Sequence, residues 1–552
     1  MKRILIVIMA VILGAGALAW FNRKEIILFL ISQSSRPEVA ANQPIDWQQG
    51  PAEAAALPAD RPPNIVFILV DDLGINDLST FGGGVAGGRV PTPNIDALAA
   101  RGAIFSTAYS GTGTCAPSRA MLLTGRYPTR TGFEFTPTPN GMGRVVTMFA
   151  NDRDNGLPKV NYDKKVADLA PDFEEQGLPG AEVTIAEMLQ DAGYHTVHIG
   201  KWHLGNSSEF HPNAQGFDES LLMEGLLHLP ADDPVVVNAK LDFDPIDKFL
   251  WARGDFSTSY NGSAPFAPGG YLADYWTQES LKVIEANKHR PFFLYLAHWG
   301  VHTPLQATRA DYDAVGDIEP HHLRVYAAML RALDRSVGEI VAKLEAEGLA
   351  DNTLIVFSSD NGGAGYIGLP GINDPYRGWK ITLFEGGIRV PMFVSWPARI
   401  AAGTTIDTPV AHIDVMPTLA AAAGAALPGG VEIDGRDLLP LAEATGELTR
   451  EDDAIYWQSG YYRVVRAGGW KLQYDGRQDK TWLFDLANDP AEDNNLAASE
   501  PEKVAELRAL LDKHQTGARA PLYASTVDLP IAIDMTGADK SGPEDEYVWW
   551  PN

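Results

Sequence analysis

The chain has 552 residues, a single cysteine and a formal net charge of −27 at pH 7. The lone cysteine, Cys115, excludes a disulfide within the chain and a zinc site built from several thiolates. The net charge argues against nucleic acid as a partner, because phosphate binding requires a basic face, and an anionic substrate would need a local group of cations or a metal.

The first residues have the pattern of an export signal. Lys2 and Arg3 precede an unbroken apolar run over residues 4–21, and Ala17-Leu18-Ala19 offers a small-x-small cleavage site. The run is also long enough to span a bilayer, so an uncleaved anchor is the alternative. We therefore expect residues 1–31 to be a signal peptide or a membrane anchor. We expect the rest of the chain to be exported, either periplasmic or anchored to the membrane and facing the periplasm or the exterior.

A linker is expected between this segment and the folded body. Residues 32–63 include a stretch from 52 to 63 that is rich in alanine and proline and is typical of a tether. The patterns beyond it divide the chain into three further parts. These are a main domain over 64–445, a C-terminal subdomain over 446–522 and a tail over 523–552.

Apolar runs and helical patterns alternate along the main domain. The runs predict buried strands over 64–70, 195–199, 292–297 and 354–357, and helical patterns include 184–192 and 323–347. This alternation indicates an α/β domain with a largely parallel sheet. Polar residues follow each run. Because ligands of open α/β sheets bind beyond the carboxyl ends of the strands, we expect these polar groups to converge on one crevice.

Two of these polar groups have the chemistry of a metal site. Asp71 and Asp72 follow the first predicted strand, and Asp360 and Asn361 follow the last. Oxygen ligands without histidine or thiolate favour Ca²⁺ or Mg²⁺ over zinc, and carboxylates mixed with an amide favour calcium. Either pair alone is typical of a turn or a helix cap. Together, at two strand ends of a chain that also contains the Cys115 motif described below, the pairs indicate a metal site that favours calcium over magnesium.

Cys115 lies just ahead of a predicted helix. Pro117 suits a first helical position, and Gly125 is placed to end the helix early. The unpaired N–H groups and the dipole of a helix start favour an anion, and Arg119 adds a forked donor about one turn further on. On its own, a single cysteine is more often an inert buried residue.

Further sequence features resemble a known family. The twelve residues from Cys115 to Arg126 resemble the signature of the type I sulfatases, in which C-x-P-S-R and a following L-T-G-R direct oxidation of the cysteine to Cα-formylglycine. Other sulfatase-like motifs follow in the family's order. They are Gly200-Lys201-Trp202-His203, His302 before Pro304, Asp360-Asn361-Gly362-Gly363, and Lys380 followed by Glu385-Gly386-Gly387-Ile388-Arg389.

The resemblance extends from about Asn64 to His514 and implies a fold. That fold is the alkaline-phosphatase-like α/β sandwich, with a large, mostly parallel central sheet flanked by helices and a smaller C-terminal subdomain. In this chain the subdomain pattern predicts a short antiparallel sheet and one amphipathic helix. The predicted strands cover 454–458, 462–466, 470–474 and 481–485, and the helix covers 502–514.

The resemblance also implies an activity, the hydrolysis of aryl or carbohydrate sulfate esters to an alcohol and inorganic sulfate. The implied partners are a sulfated small molecule or glycan and a maturation enzyme that oxidises Cys115. The hydrated aldehyde, activated by one Ca²⁺, then attacks sulfur and later releases sulfate through its second hydroxyl. The implied calcium ligands are Asp71, Asp72, Cys115, Asp360 and Asn361.

Five cationic or titratable residues receive roles from the same resemblance. Arg119 and Lys201 hold the hydrated aldehyde, Lys380 and His302 bind the sulfate and protonate the departing alcohol, and His203 takes the proton of the second hydroxyl. Taken one at a time, such lysines and histidines are usually surface or structural residues. The motifs in which they occur in this chain favour the catalytic assignment.

Two other functions are compatible with the sequence. A phosphate or phosphonate monoester or diester hydrolase could use the same nucleophile and metal, because tetrahedral oxyanions differ mainly in charge. A non-catalytic sulfoglycan-binding protein could keep Cys115 unoxidised. Comparing kcat/KM for sulfate esters with kcat/KM for phosphate esters distinguishes the first alternative from a sulfatase. Mass spectrometry of the Cys115 peptide tests the second, because a binding protein would keep the thiol.

The tail ends in a group of aromatic residues. Tyr547, Trp549 and Trp550 lie within four positions near the C-terminus, and a solvated tail has no physical reason to keep them in water. We therefore expect the tail to fold back and pack its tryptophans on the catalytic domain. There it would wall one side of the substrate crevice and narrow the range of esters that enter.

Overall fold

A computed structural model of the chain describes residues 22–33, 38–139 and 141–552. The predicted signal peptide or anchor lies mostly outside these residues. Its described end begins at residue 22 and contains the helix Arg23–Ser32. Within the described ranges, no helix is both long enough and apolar enough to cross a membrane.

The main domain is built around a nine-stranded sheet, and smaller sheets surround it. In chain order the strands are β1 (Asn64–Val70), β2 (Ala103–Phe105), β3 (Ala108–Tyr109), β4 (Asn161–Tyr162), β5 (His195–Gly200), β6 (Glu219–Met223), β7 (Val236–Ala239), β8 (Thr258–Tyr260), β9 (Phe292–Ala297), β10 (Leu305–Thr308), β11 (Thr353–Ser359), β12 (Met392–Ser395), β13 (Thr404–Ile406), β14 (Val410–Ala411), β15 (Ala454–Ser459), β16 (Tyr462–Ala467), β17 (Trp470–Asp475), β18 (Lys480–Asp485), β19 (Val527–Ala532) and β20 (Tyr547–Pro551).

Helices lie between most of these strands. Those of seven or more residues are α1 (Arg23–Ser32), α2 (Pro93–Ala100), α3 (Cys115–Thr124), α4 (Met142–Asn151), α5 (Ile185–Asp191), α6 (Pro245–Arg253), α7 (Leu272–Asn287), α8 (His321–Ala346), α9 (Val415–Ala423) and α10 (Pro501–Gln515). Shorter helical segments are Val85–Gly88, Pro128–Thr131, Lys164–Ala167, Arg309–Ala314, Glu385–Ile388 and Leu439–Ala442.

The central sheet is mostly parallel, as the sequence predicts. Its strand order is β13-β2-β12-β11-β1-β9-β5-β6-β8. The five strands from β11 to β6 are mutually parallel. The antiparallel pairs lie towards the edges, at β11–β12, β12–β2 and β6–β8. The carboxyl ends of the parallel strands therefore meet along one edge of the sheet.

Helices cover both faces of this sheet, which explains why β1 is apolar from Ile65 to Val70. Its alternate side chains belong to two different cores. Val66 and Ile68 point to the core that includes Val283 of α7, whereas Ile65 and Phe67 point to the other. The second core also contains residues of α3, α5 and α9, namely Leu122, Leu189 and Leu419.

The C-terminal subdomain matches its sequence prediction closely. Strands β15 to β18 form an antiparallel sheet in chain order. Leu507 and Leu511 of α10 are buried against Val465 and Leu472 of this sheet. The amphipathic pattern in the sequence therefore correctly predicted which face of the helix packs on the sheet.

Part of the predicted linker lies on the main domain. Trp47 is 3% exposed, and its indole Nε1 donates to Glu279 Oε2 at 2.8 Å. The Gly50 N–H donates to the carbonyl of Ala286 at 2.8 Å. Burial of a tryptophan side chain contributes more favourable free energy than burial of any other side chain in this stretch. Trp47 therefore holds the neighbouring backbone against the main domain. Residues 51–57 are exposed.

The tail forms two further strands and packs on both domains. β19 pairs with β20 and also with β4 of the main domain. Val548 is fully buried and Trp549 is 8% exposed. The Trp549 N–H donates to Asp475 Oδ2 at 2.8 Å, and the Arg477 guanidinium lies 3.7 Å from the centre of the Trp549 ring. The prediction that the tail folds back onto the main domain is confirmed by the pairing of β19 with β4. The prediction placed the tryptophans on the catalytic domain, whereas these Trp549 contacts are with the C-terminal subdomain. The role of the tail as a wall of the substrate crevice stays a prediction.

Deleting residues 545–552 should lower the melting temperature, because β19 loses its partner strand and the buried Trp549 is removed. Loss of one buried tryptophan typically costs about 3–5 kcal/mol. Thermal unfolding followed by circular dichroism measures the shift. Glu544→Ala, at an exposed position of the same tail, is the control and should melt like the unmodified protein. An unchanged melting temperature in the deletion would mean that the tail contributes nothing to stability.

Candidate active site

Four neighbouring strands carry the site at their carboxyl ends. Strands β11, β1, β9 and β5 are adjacent and parallel, so the residues that follow them lie along one edge of the sheet. Those residues are Asp360 and Asn361 after β11, Asp71 and Asp72 after β1, His302 beyond β9, and Lys201 after β5. The predicted convergence of these groups is confirmed.

Arg119 is a fully buried cation between two carboxylates. Its Nε donates to Asp360 Oδ2 at 2.9 Å, and its Nη2 lies 3.3 Å from Asp71 Oδ2. Lys201 Nζ lies 2.6 Å from the same Asp71 oxygen. Burial, together with the neighbouring Asp360 charge, raises the pKa of Asp71 to about 6. The charged form of Asp71 therefore depends on the cations that contact it.

Lys380 is the second cationic centre and lies beside the cysteine. Its Nζ is 2.6 Å from Asp72 Oδ1 and donates to Cys115 Sγ at 3.1 Å. Burial disfavours the charged lysine, but Asp72 and Cys115 outweigh it and raise the Lys380 pKa well above its ordinary value. Burial likewise opposes the charge on Asp72, yet Lys380 and His302 hold its pKa below the ordinary value. Lys380 and Asp72 therefore form a buried ion pair.

Tyr366 belongs to this cluster although the sequence analysis did not select it. Its hydroxyl accepts a hydrogen bond from Lys380 Nζ at 3.2 Å and donates one to Asp72 Oδ2 at 2.9 Å. Burial and the Asp72 charge raise its pKa well above 10, so the hydroxyl stays protonated. The one sequence signal was an aromatic residue in a glycine-rich loop after Asn361, which is weak evidence.

Cys115 is the first residue of α3, with Thr114 as the N-cap, so the helix begins at the cysteine and not after it. Gly125 ends the helix with φ of 64°, as predicted. The Cys115 Sγ lies 3.4 Å from Asp71 Oδ1 and 3.9 Å from Asp72 Oδ1. Burial and the charges of Asp360 and Asp71 raise the thiol pKa well above its ordinary value. An unmodified thiol here is protonated and is a poor nucleophile.

The two predicted histidines occupy different environments. His302 stacks on Trp299, with ring centres 4.1 Å apart, and its Nε2 lies 3.6 Å from Asp72 Oδ2. Its Nδ1 is 2.5 Å from the Thr303 carbonyl, which requires Nδ1 to carry a proton. Burial lowers the pKa of His302 and of His203, and the charge on Lys201 lowers that of His203 further. Within the described part of the chain, His203 Nδ1 has no hydrogen-bond partner.

The donor set at the centre of the cluster fits a divalent cation. Asp71, Asp72, Cys115 and His302 each place one ligand atom within 4.8 Å of the others. Asn361 Oδ1 is buried and accepts no hydrogen bond from any described residue, and a buried acceptor without a donor is costly unless something else satisfies it. Three of the predicted ligands, Asp71, Asp72 and Cys115, therefore meet at one place, and His302 joins them there. Asp360 is outside this group, and its carboxylate oxygens accept hydrogen bonds from Arg119 Nε and the Asp72 N–H.

The C-terminal subdomain fixes the loop that carries Lys380. Lys471 of β17 is fully buried and lies 2.9 Å from Glu385 and 3.0 Å from Glu492. The Glu385 N–H in turn donates to Glu492 Oε2 at 2.6 Å, and the Leu383 N–H donates to the Tyr462 hydroxyl at 3.2 Å. This network ties the residues just after Lys380 to the antiparallel sheet.

Comparison with known proteins agrees with this geometry. The sulfatase family model matches residues 63–425, and the model of the N-sulphoglucosamine sulphohydrolase C-terminal region matches residues 377–519. The chain is 33% identical to N-acetylgalactosamine-6-sulfatase of Sus scrofa over 423 residues, 75% of this chain and 72% of that protein. It is 32% identical to arylsulfatase A of Homo sapiens over 502 residues, 83% of this chain and 89% of that protein.

A solved structure gives the same result. The chain superimposes on the crystal structure of Ps i-CgsB with a TM-score of 0.68 and 31% identity, over 84% of this chain and 95% of that one. The family model spans the whole set of strand-end residues from Asp71 to Lys380. The chain is therefore a sulfuric ester hydrolase and belongs to the sulfatase family, in the alkaline phosphatase superfamily.

Proposed function

We propose that the protein hydrolyses sulfate esters with a formylglycine made from Cys115 and one bound Ca²⁺. The observation that carries this proposal is the position of Cys115. Its Sγ lies within hydrogen-bonding reach of Lys380 and directly beside Asp71 and Asp72. A nucleophile at this atom would face a cation for the sulfate group and two carboxylates for the metal.

Oxidation of Cys115 to an aldehyde would replace a thiol that its buried environment makes a poor nucleophile. Burial among carboxylates keeps the thiol protonated, so the thiol itself is badly suited to attack sulfur. Oxidation replaces the thiol with an aldehyde, whose hydrate offers one hydroxyl to attack sulfur and a second that permits release of sulfate. The surrounding motif from Cys115 to Arg126 is the proposed recognition segment of a maturation enzyme.

The proposed calcium ligands are Asp71, Asp72, Asp360 and Asn361, together with the oxidised Cys115 side chain. The three carboxylates and the unpartnered Asn361 Oδ1 supply the hard oxygens that calcium prefers. When bound, the ion would polarise a sulfate oxygen and lower the pKa of an adjacent hydroxyl. Arg119 and Lys201 would keep two of these carboxylates ionised.

The remaining residues would handle the sulfate charge and the protons. Lys380 is held charged by Asp72 and would bind a sulfate oxygen. The His302 Nδ1–H is bonded to the Thr303 carbonyl, so Nε2 is the ring nitrogen that lies beside Asp72 in the site. Nε2 would deliver a proton to the departing alcohol only from the doubly protonated ring, a form that a bound anionic ester would favour. The unpartnered Nδ1 of His203 leaves that ring free to accept the proton of the second hydroxyl. Arg119 and Lys201 would orient the hydrated aldehyde.

Substrate and location also belong to this proposal. The relatives include N-acetylgalactosamine-6-sulfatase and arylsulfatase A, and Ps i-CgsB has been crystallised with k-i-k-neocarrahexaose. These names support a sulfated small molecule or glycan as the substrate. The basic and apolar pattern of residues 2–21 supports export, with the enzyme free in the periplasm or anchored through residues 4–21.

Cys115→Ala should lower turnover of an aryl sulfate by about 10³-fold or more, because it removes the nucleophile. Cys115→Ser should be nearly as inactive over many turnovers, because serine offers no second hydroxyl. Steady-state kinetics measures both, with Thr114→Ser at the helix cap as the control. Mass spectrometry of the Cys115 peptide from the native host should show CH₂SH replaced by CHO. An unmodified thiol in fully active protein contradicts the mechanism.

Calcium should raise the melting temperature, and Asn361→Leu should abolish the effect, because the variant loses one ligand and also the hydrogen bond from Asn361 Nδ2 to Asp72 Oδ1. A ligand present at 100 times its dissociation constant stabilises by about 3 kcal/mol. Thermal unfolding with and without calcium after chelation is the measurement. Asn64→Leu, at the opposite end of β1, is the matched control and should keep the calcium response. A full response in Asn361→Leu would remove this residue from the ligand set.

His302→Ala should slow hydrolysis of an alkyl sulfate by about 10²-fold, the usual contribution of a general acid. It should slow a nitrophenyl sulfate much less, because nitrophenolate leaves without a proton. The two rates are compared for the variant and for His321→Ala, which removes an exposed histidine. Equal losses on both esters in His302→Ala would show that this histidine does not protonate the leaving group.

A further inference from the structure

A groove of about 120 Å³ lies between the C-terminal tail and the main domain. Several parts of the chain line it. They are α4, the loop 153–160 that follows it, residues 244–246 at the start of α6, the tail around β19, and the segments that contain Tyr366 and Trp379. Its main apolar lining residues are Val146, Ala150, Ile531, Met535, Tyr366 and Trp379.

This groove shares a wall with the catalytic cluster. Tyr366 lines the groove, and its hydroxyl contacts both Lys380 and Asp72. Trp379 also lines the groove and directly precedes Lys380, and its Nε1 donates to the Ala532 carbonyl of β19 at 2.9 Å. A group lying in the groove is therefore one aromatic side chain away from the residues that would bind sulfate.

The groove is unsuited to a highly charged ligand. Among the described residues that line it, the cationic side chains are Arg153 and Lys159. Arg153 donates to the carbonyls of Phe243 and Gly537 at 2.5 and 2.9 Å, and Lys159 donates to the Asn151 carbonyl at 2.5 Å. The lining also contains Asp244 and Asp539, which repel anions. A further sulfate group of the substrate would therefore have little positive charge in the groove to offset its own negative charge.

The tail holds its side of the groove in place. Arg377 forms a two-point contact with Asp534 at 2.7 Å and also contacts Glu546 at 2.7 Å. These bonds join the two tail strands to the loop before Lys380. An apolar cavity whose walls are already ordered binds an apolar group without first ordering its own side chains.

We propose that this groove is the subsite for the alcohol part of the substrate, and that it takes an aryl or alkyl group. The inference rests on the proposed function, because it needs the sulfate to sit at Cys115 and Lys380. The sulfate would then occupy the charged cluster while the apolar alcohol extends past Tyr366 towards β19. The natural substrate would be the sulfate ester of an apolar alcohol or phenol.

Two esters with similar leaving groups test this, phenyl sulfate and 4-phenylphenyl sulfate. Ala150→Trp fills the groove and should lower kcat/KM for the larger ester by about tenfold or more, the usual effect of a pocket mismatch. It should lower kcat/KM for phenyl sulfate by less, because a single ring occupies less of the groove than two rings. Arg144→Trp places the same side chain at an exposed position of α4 and is the control. Ile531→Ala, which removes apolar contact, should raise KM for the larger ester alone.

Equal losses on both esters in Ala150→Trp and Ile531→Ala, or no loss in either, would overturn the subsite. So would a higher kcat/KM of the unmodified enzyme for a disulfated monosaccharide than for 4-phenylphenyl sulfate. If no sulfate ester is hydrolysed, the proposed function fails separately, and binding of 4-phenylphenol by calorimetry then tests the groove. Binding that Ala150→Trp abolishes and Arg144→Trp retains supports the subsite, and absence of binding to the unmodified protein overturns it.

Discussion

The site depends on the balance of buried charge at one edge of the central sheet. Asp71, Asp72 and Asp360 are buried there, and Arg119, Lys201 and Lys380 contact them at 2.6 to 3.3 Å. Removing one partner from a buried ion pair commonly costs about 3–5 kcal/mol, because the other charge is left without compensation. A divalent cation among these carboxylates would make the cluster net positive and therefore suited to an anionic ester.

This charge balance requires precise placement from several distant segments. The carboxylates come from strand ends, where the parallel sheet fixes their separation, and Arg119 lies about one turn into α3. Lys380 lies on a loop without regular structure and needs a different support. The fully buried Lys471 and Glu492 supply it by holding Glu385 just beyond the lysine. The small subdomain thereby positions a residue of the large one.

The tail gives the site a chemical asymmetry. On one side of Tyr366 are buried ions that suit a sulfate group, and on the other is an apolar groove bounded by β19. The same hydroxyl joins Lys380 to Asp72, so the residue between the two environments also orders the charged one. A sulfate ester has the same division, with an anionic head and an alcohol whose polarity differs among substrates.

The sequence by itself identified the four strands that carry the site, the strands and helix of the C-terminal subdomain, and the helices α5 and α8, because hydrophobic periodicity is a local property. Short motifs identified most residues of the charged cluster for the same reason. It identified the acidic and amide pairs after β1 and β11, which would hold a metal ion, and the aromatic tail that folds back. Only the tertiary structure brought Tyr366 to Lys380, placed Lys471 under the loop and formed the groove at Ile531. Those contacts join residues far apart in the chain, and their spacing carries no periodic signal. Which distant segments meet is decided by how sheets and loops pack in three dimensions.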